Sequence, residues 1–204
     1  MEKIIKIIDK KYNNYKMSFK ERGSYVVFIL NSPGRYEFSL EKEGCGLKII
    51  GLFIGKNSDN FEVKTTQIHK KRNCTSDLLI KSVLKDKAKF LYEGLIRIGK
   101  GAQKSFAYQK NENIILSKNA YVFSEPFLEI MANDVYCTHG STTGQLDKEK
   151  VLYLKTRGIP EKKAEKLLLE GFCLDILKKI KNIEDKKLYS ELEKEINKKL
   201  ELLK

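Results

Sequence analysis

Apolar and polar positions follow two different rhythms along this chain, and the change falls near residue 147. Before it, the rhythm is that of strands. Tyr25–Leu30 is an unbroken apolar run, closed by Asn31-Ser32-Pro33-Gly34, a strong turn signal. Tyr36, Phe38 and Leu40 then alternate with Glu37, Ser39 and Glu41, as in a strand with one wet face. Gly44-Cys45-Gly46 breaks the chain, Leu47–Ile54 resumes a strand, and Phe61, Val63 and Thr65 alternate again. Residues 1–63 therefore read as strands and turns, with Cys45 either exposed or held in a tight turn.

From Leu78 to Gly144 the expected strands are short. Turn-type residues fall at Gly94, Gly99/Gly101, Asn111/Asn113, Asn119, Pro126, Asn133 and Gly140, and they exclude a continuous helix. β-Branched and aromatic residues such as Ile114, Tyr121, Val122 and Phe123 fill the intervals. Three such strands make a coil of about twenty residues, the size of one turn of a parallel β-helix. An antiparallel sandwich of short strands fits the same pattern, and the pattern does not choose between them. Stacking at about twenty-one residues sets Cys137 over Leu116 and His139 over Lys118, opposite characters for one strand face. Either the coil length varies or the strand bends near Gly140.

After Asp147 the rhythm is helical. Asp147 is placed as an N-cap ahead of Val151, Leu152 and Leu154. Gly158 ends that helix and Pro160 opens the next at its first position. Ala164, Leu167, Leu168, Phe172, Ile176, Leu177 and Ile180 form an apolar stripe at helical spacing. Asn182 is placed as the cap of a third helix carrying Leu188, Leu192, Ile196, Leu200 and Leu203. The stripes are expected to pack on the β region or on each other. This divides the chain into a β core over 1–146 and a helical region over 147–204.

Composition narrows the function. The chain has 204 residues with 41% hydrophobic content, enough for a core, and no run is long and apolar enough to span a membrane. The N-terminal MEKIIKIIDKK carries charges through its apolar residues, unlike a secretory signal. The four cysteines, Cys45, Cys74, Cys137 and Cys173, are irregularly spaced. They read as free thiols, and the expected compartment is cytoplasmic. A net charge of +13 invites nucleic acid. The charges are mixed in sign everywhere, however, and no basic stripe is interleaved with stacking aromatics, so neither a nucleic-acid nor a membrane partner is expected.

The candidate chemistry sits at Cys137-Thr138-His139-Gly140. In an extended segment the thiol and the imidazole, two residues apart, point the same way. The chain's only histidines are His69 and His139. Read blandly, Cys137 is a small buried hydrophobe and His139 a hydrogen-bonded structural residue. Two ligands do not make a structural zinc site, so a metal here needs donors from elsewhere or from a second chain.

These residues also carry a family resemblance. It runs from His69 with Thr75-Ser76-Asp77 through Lys81–Ala88, Gly94–Ile98, Gly101–Lys104 and Ile115–Ser117. It continues through Pro126–Ile130, Asn133–Thr142, Tyr153–Ile159 and Glu170–Phe172. In this order they resemble the SufB/SufD proteins of the SUF iron–sulfur cluster assembly system, the SufD side more closely. The resemblance implies a right-handed parallel β-helix core followed by a C-terminal helical region. It implies that two cores pair at the C-terminal end of the β-helix, and that the helical region docks a SufC-like ABC ATPase. Members on the SufD side carry a Cys and a His matching Cys137 and His139 near the core–core interface. The sequence departs from the family in showing no N-terminal helical domain and in having Gly140, where SufB-like members have Glu. Gly171-Phe172-Cys173 is closer to SufB. A minimal, self-pairing form is the expectation that follows, beside pairing with a SufB/SufD-like subunit.

The resulting expectation is a non-enzymatic scaffold subunit. Cys137 and His139 bind a transient iron–sulfur cluster at a subunit interface. Glu129 and Asp134 add carboxylate ligands or orient His139, although Asp134 beside Asn133 also reads as a turn residue. His69 is a weaker candidate. Tyr153, Arg157 and Phe172 are assigned to docking the ATPase or to helix packing, and ATP enters only through that partner. The alternative is a structural platform, coupled to the ATPase, that holds no cluster. A polysaccharide-cleaving β-helix enzyme would need clustered catalytic residues in a groove, and the sequence shows none.

Overall fold

Strands rich in β-branched and aromatic residues pair side by side, and here every pairing is parallel. The computed structural model describes residues 3–180 and 186–203. Its strands are β1 (Lys3–Ile8), β2 (Tyr12–Phe19), β3 (Ser24–Leu30), β4 (Gly34–Leu40), β5 (Gly46–Gly55) and β6 (Asn60–His69). There follow β7 (Thr75–Leu84), β8 (Lys89–Ile98), β9 (Ser105–Ile115), β10 (Tyr121–Ile130) and β11 (Val135–Gly144). The odd strands form one sheet in the order β1-β3-β5-β7-β9-β11, and the even strands the other, β10-β8-β6-β4-β2. The chain thus winds as a parallel β-solenoid, one strand to each sheet per coil, and the sandwich alternative falls.

The coil differs from the one expected. It holds two long strands, not three short ones. Ser24 lies beside Gly46, Gly46 beside Thr75 and Ser105 beside Val135, so the coil lengthens from 22 residues to 29 and 30. Gly94, Asn111, Asn113, Pro126 and Gly140, expected in turns, lie inside strands. Asn111 and Asn113 are buried and bonded to each other at 2.6 Å, with Asn111 also donating to the Ile80 carbonyl. Pro126 is tolerated because β10 is an edge strand, where a missing N–H removes no ladder bond. The true corners use Asn31, Asn57, Asn73 and Asp86, all at positive φ, which short polar side chains tolerate best.

The two sheets differ in what covers them. The inner faces share one core, in which the Phe53 ring lies 5.6 Å from Phe61 and 5.1 Å from Phe90. The even sheet turns its other face to solvent, so its strands alternate: in β6, Phe61, Val63, Thr65, Gln67 and His69 are buried between more exposed neighbours. The odd sheet is covered on both faces over its middle strands, where the runs Tyr25–Leu30 and Ile49–Ile54 are buried throughout, whereas Phe106, Tyr108 and Tyr136 on the outer face of β9 and β11 are exposed. The helical region comprises α1 (Lys148–Thr156), α2 (Glu161–Leu174), a 3-10 turn over Asp175–Ile180 and α3 (Lys186–Glu201), and all but α1 contribute to the cover. Ile176, Leu177, Leu192 and Ile196 from these helices pack on Val26, Phe28, Ile50 and Leu52.

Asp147 caps α1 by accepting from the Glu149 and Lys150 N–H groups at 3.0 and 3.2 Å. Gly158 takes φ +81° just past the end of α1, a conformation that favours glycine. Pro160 stands at the N-cap of α2, one position before the expected first turn residue. Asn182, the expected third cap, lies outside the described residues. The helices are fastened to the sheet by Lys81 of β7, which is 3% exposed. Its ammonium donates to the Phe172 carbonyl and to Asp175 Oδ2, each at 3.1 Å. It also pairs with Glu112 Oε2 at 3.1 Å and lies 4.4 Å from the centre of the Phe172 ring. A buried ammonium is tolerated only with such partners.

Candidate functional site

Parallel in-register pairing decides where Cys137 and His139 point. Cys137 stands beside Ala107 and His139 beside Gln109. Both neighbours are buried on the inner face of β9, so both donors belong to the inner row of β11. The mismatch predicted from twenty-one-residue stacking disappears because the coil is 30 residues long here. Across the solenoid, Ser141 Oγ lies 3.1 Å from Ser124 Oγ of β10, which joins the inner rows of the last two strands.

These two strands are the terminal ones of their sheets. Among the described residues, β11 pairs only with β9 and β10 only with β8. The end of the solenoid is therefore bare: its last inner row is not covered by another coil. Leu128, Ile130 and Met131 are 36%, 44% and 62% exposed there. Cys137 is half-buried and His139 exposed. Cys137 packs beside a small cluster of Ile96, Ile98, Ala102, Ala107 and Ala132, and this burial pushes its thiol pKa up. The resting group at neutral pH is the thiol, so a metal that binds it must displace a proton.

The other proposed carboxylate donors are not gathered here. Glu129 has the wrong parity. It stands beside Arg97 on the outer face of β10 and β8, and Arg97 Nε donates to its Oε2 at 2.6 Å. The guanidinium holds the Glu129 carboxyl below the usual range. Asp134 is exposed in the turn before β11, where its backbone carbonyl accepts from Lys104 N–H at 2.6 Å. His69 is remote in character as well as place. It is fully buried, its Nε2 lies 2.8 Å from Ser76 Oγ, and burial lowers its pKa to about 4. Among the described residues no three Cys, His, Asp or Glu side chains form a metal cluster. The donor set of Cys137 and His139 suits iron or an iron–sulfur cluster in softness, but a single chain supplies only part of a coordination shell.

The candidate docking residues divide. Tyr153 is 59% exposed on α1, with the Arg157 guanidinium 5.3 Å from its ring centre. No residue of α1 is buried, and Leu152 beside Tyr153 is 61% exposed. Phe172 instead faces inward, partly buried against the helix–sheet core and under Lys81. A cleft of about 1030 Å³ runs between α1, α2 and the chain around Leu116, floored by Leu116, Val151 and Leu203 and rimmed by Lys118, Lys148 and Lys162. No motif in the sequence marks this cleft, because its walls come from segments far apart in the chain. Gln109 carries no signal in the sequence and Lys81 only its place in the resemblance, since a lysine or glutamine inside a strand normally reads as solvent-facing.

Similarity to known proteins follows the same segment of chain. The family described as "SUF system FeS cluster assembly, SufBD core domain" matches residues 31–172. The iron–sulfur cluster assembly protein SufD of Escherichia coli is 32% identical over 143 residues, covering 70% of this chain and 34% of that protein. SufD of Bacillus subtilis is 32% identical over 134 residues, covering 65% of this chain and 30% of that protein. A SufBD family protein of Synechocystis is 35% identical over 102 residues, covering 50% of this chain and 22% of that protein. The chain spans about a third or less of the length of these curated relatives.

Proposed function

The chain belongs to the SufBD core family of SUF-system iron–sulfur cluster assembly proteins, and from that premise we propose that it is a scaffold subunit whose bare solenoid end pairs with a second core and holds a transient cluster in the seam. The observation that carries this reading is the joint placement of a thiol and an imidazole on the last, uncovered inner row. Unpaired strand edges with exposed Leu128, Ile130 and Met131 invite a second sheet. A second core brings further donors, which the two-ligand set lacks. Imidazole is a more labile cluster ligand than thiolate, which suits a cluster that must be handed on. The partner core is a second copy of this chain or a SufB/SufD-like subunit.

On this reading the subunit performs no chemistry on ATP. The helical region docks a SufC-like ABC ATPase through α1, where Leu152, Tyr153 and Arg157 stand free of the solenoid. Lys81 then ties that region to the sheet that ends in β11. Free, buried Cys45, Cys74 and Cys173 suit a reducing, cytoplasmic setting. No helix among the described residues is long and apolar enough to cross a membrane.

Anaerobic reconstitution with iron and sulfide tests the reading. The wild-type chain, with its partner core present, is expected to gain sulfide-to-iron charge-transfer absorbance. Cys137→Ala and His139→Ala are each expected to lose it while remaining folded. A second reading, a platform that holds no cluster, is favoured by one observation: Glu129 is occupied by Arg97, so this chain contributes only two donors. Unchanged absorbance in both variants would establish the platform.

A further inference from the structure

Gln109 lies inside the solenoid, 1% exposed, directly beside His139 on the inner face. Its Nε2 donates to the Gly94 carbonyl at 3.2 Å. A carbonyl only accepts, so this contact fixes which end of the amide is nitrogen. The other end, Oε1, is buried and has no hydrogen-bond partner among the described residues. Leaving such an acceptor unpaired costs about 1–3 kcal/mol. The place for the amide is also kept open: a Cβ on Gly94 would run into the Gln109 side chain.

The residues stacked on Gln109 narrow the choice of donor. On one side, in β7, its register neighbour is Leu78, which offers no hydrogen bond. On the other, in β11, it is His139, one strand spacing of about 4.8 Å away. A neutral imidazole carries one ring N–H and leaves the other nitrogen a lone pair. We propose that Gln109 Oε1 accepts the ring N–H of His139, thereby fixing the tautomer and aiming the free nitrogen at the metal. This makes Gln109 a positioning residue for the cluster ligand, acting as carbonyl and carboxylate partners of metal-bound histidines commonly do. The proposal rests on the scaffold reading of His139 and requires the exposed imidazole to turn toward Oε1, which has no partner among the described residues as the side chains stand.

Long-range proton–nitrogen NMR on metal-free protein with labelled histidine reads it directly. The chain has only two histidines, and His69, bonded to Ser76, serves as an internal control. In wild type, His139 is expected as a single tautomer. In Gln109→Leu or Gln109→Met it becomes a mixture while His69 is unmoved. Gly94→Ala, which displaces the amide without removing it, has the same effect. Gln67→Leu removes the other buried amide with an unpartnered donor and leaves His139 unchanged. A mixed His139 in wild type, an unmoved His139 in the folded Gln109 variant, or a shift caused by Gln67→Leu overturns the proposal. A single tautomer in a protein that nevertheless takes up no cluster would overturn the scaffold reading and leave this one standing.

Discussion

The coil carrying His69 and the coil carrying His139 follow one backbone plan and behave as opposites. In the first, β6 and β7 have paired strands on both sides and helices over one outer face. His69 is sealed against Ser76, and its protonation is suppressed to about pH 4. In the last, β10 and β11 have a partner on one side only, and the inner row that would be core elsewhere faces outward at the end of the stack. A residue type therefore takes its role here from what covers the coil. Within the stack the inner row is packing; at its end, on the proposed reading, the same row becomes a site.

Substitutions that empty the inner row test that contrast most strongly. Phe90→Ala, in the fully covered part of the core, is expected to cost about 3–5 kcal/mol in denaturant unfolding. Leu128→Ala, on the bare row, should cost less than about 1 kcal/mol in the isolated chain and appear chiefly as weaker pairing. Equal costs would mean that the end coil is covered after all.

Acid should expose His69 next. Its folded pKa, about 4, lies below the ordinary value near 6.5, so its contribution to stability is full above pH about 6.5 and is lost as pH falls toward 4. At about 1.4 kcal/mol per unit the loss is roughly 3 kcal/mol. A His69→Leu/Ser76→Ala double variant should flatten the part of the stability curve between pH about 6.5 and 4.5. A wild-type curve already flat there would contradict the burial of His69.

The joint between helices and sheet ranks third. Lys81→Ala removes the cation that Asp175 and Glu112 share and leaves each with one lysine, Lys178 and Lys110 respectively. With both carboxylates partly exposed, about 2 kcal/mol is expected, read as earlier melting of the helices than of the sheets. Smallest of all, Cys137→Ala and His139→Ala should each shift stability by less than about 0.5 kcal/mol, as the proposed binding role of the terminal row requires.

What could be read from the sequence follows the same division. The strand-to-helix change at Asp147, the cap it forms and most of the apolar helical stripes rest on local patterns and appear in the structure, although Leu167 is exposed and the second stripe ends in a 3-10 turn. The coil length rests on long-range register. Gly94, Asn111, Asn113, Pro126 and Gly140 look like turn residues, yet they sit in strands because of their partners in neighbouring coils. Strand parity placed Cys137 and His139 together correctly. The same parity separates Glu129 from them, but only once β10 is known to run from Tyr121 to Ile130 and to share its inner face with β11. Gln109 and Lys81 were illegible because their meaning lies in what is stacked beside them.

Native mass spectrometry of the anaerobically reconstituted protein tests the central claim most directly. The account predicts that cluster mass is carried only by paired cores and disappears when Cys137 is replaced by Ala. A cluster held by a single chain, or one that survives Cys137→Ala unchanged, would contradict it.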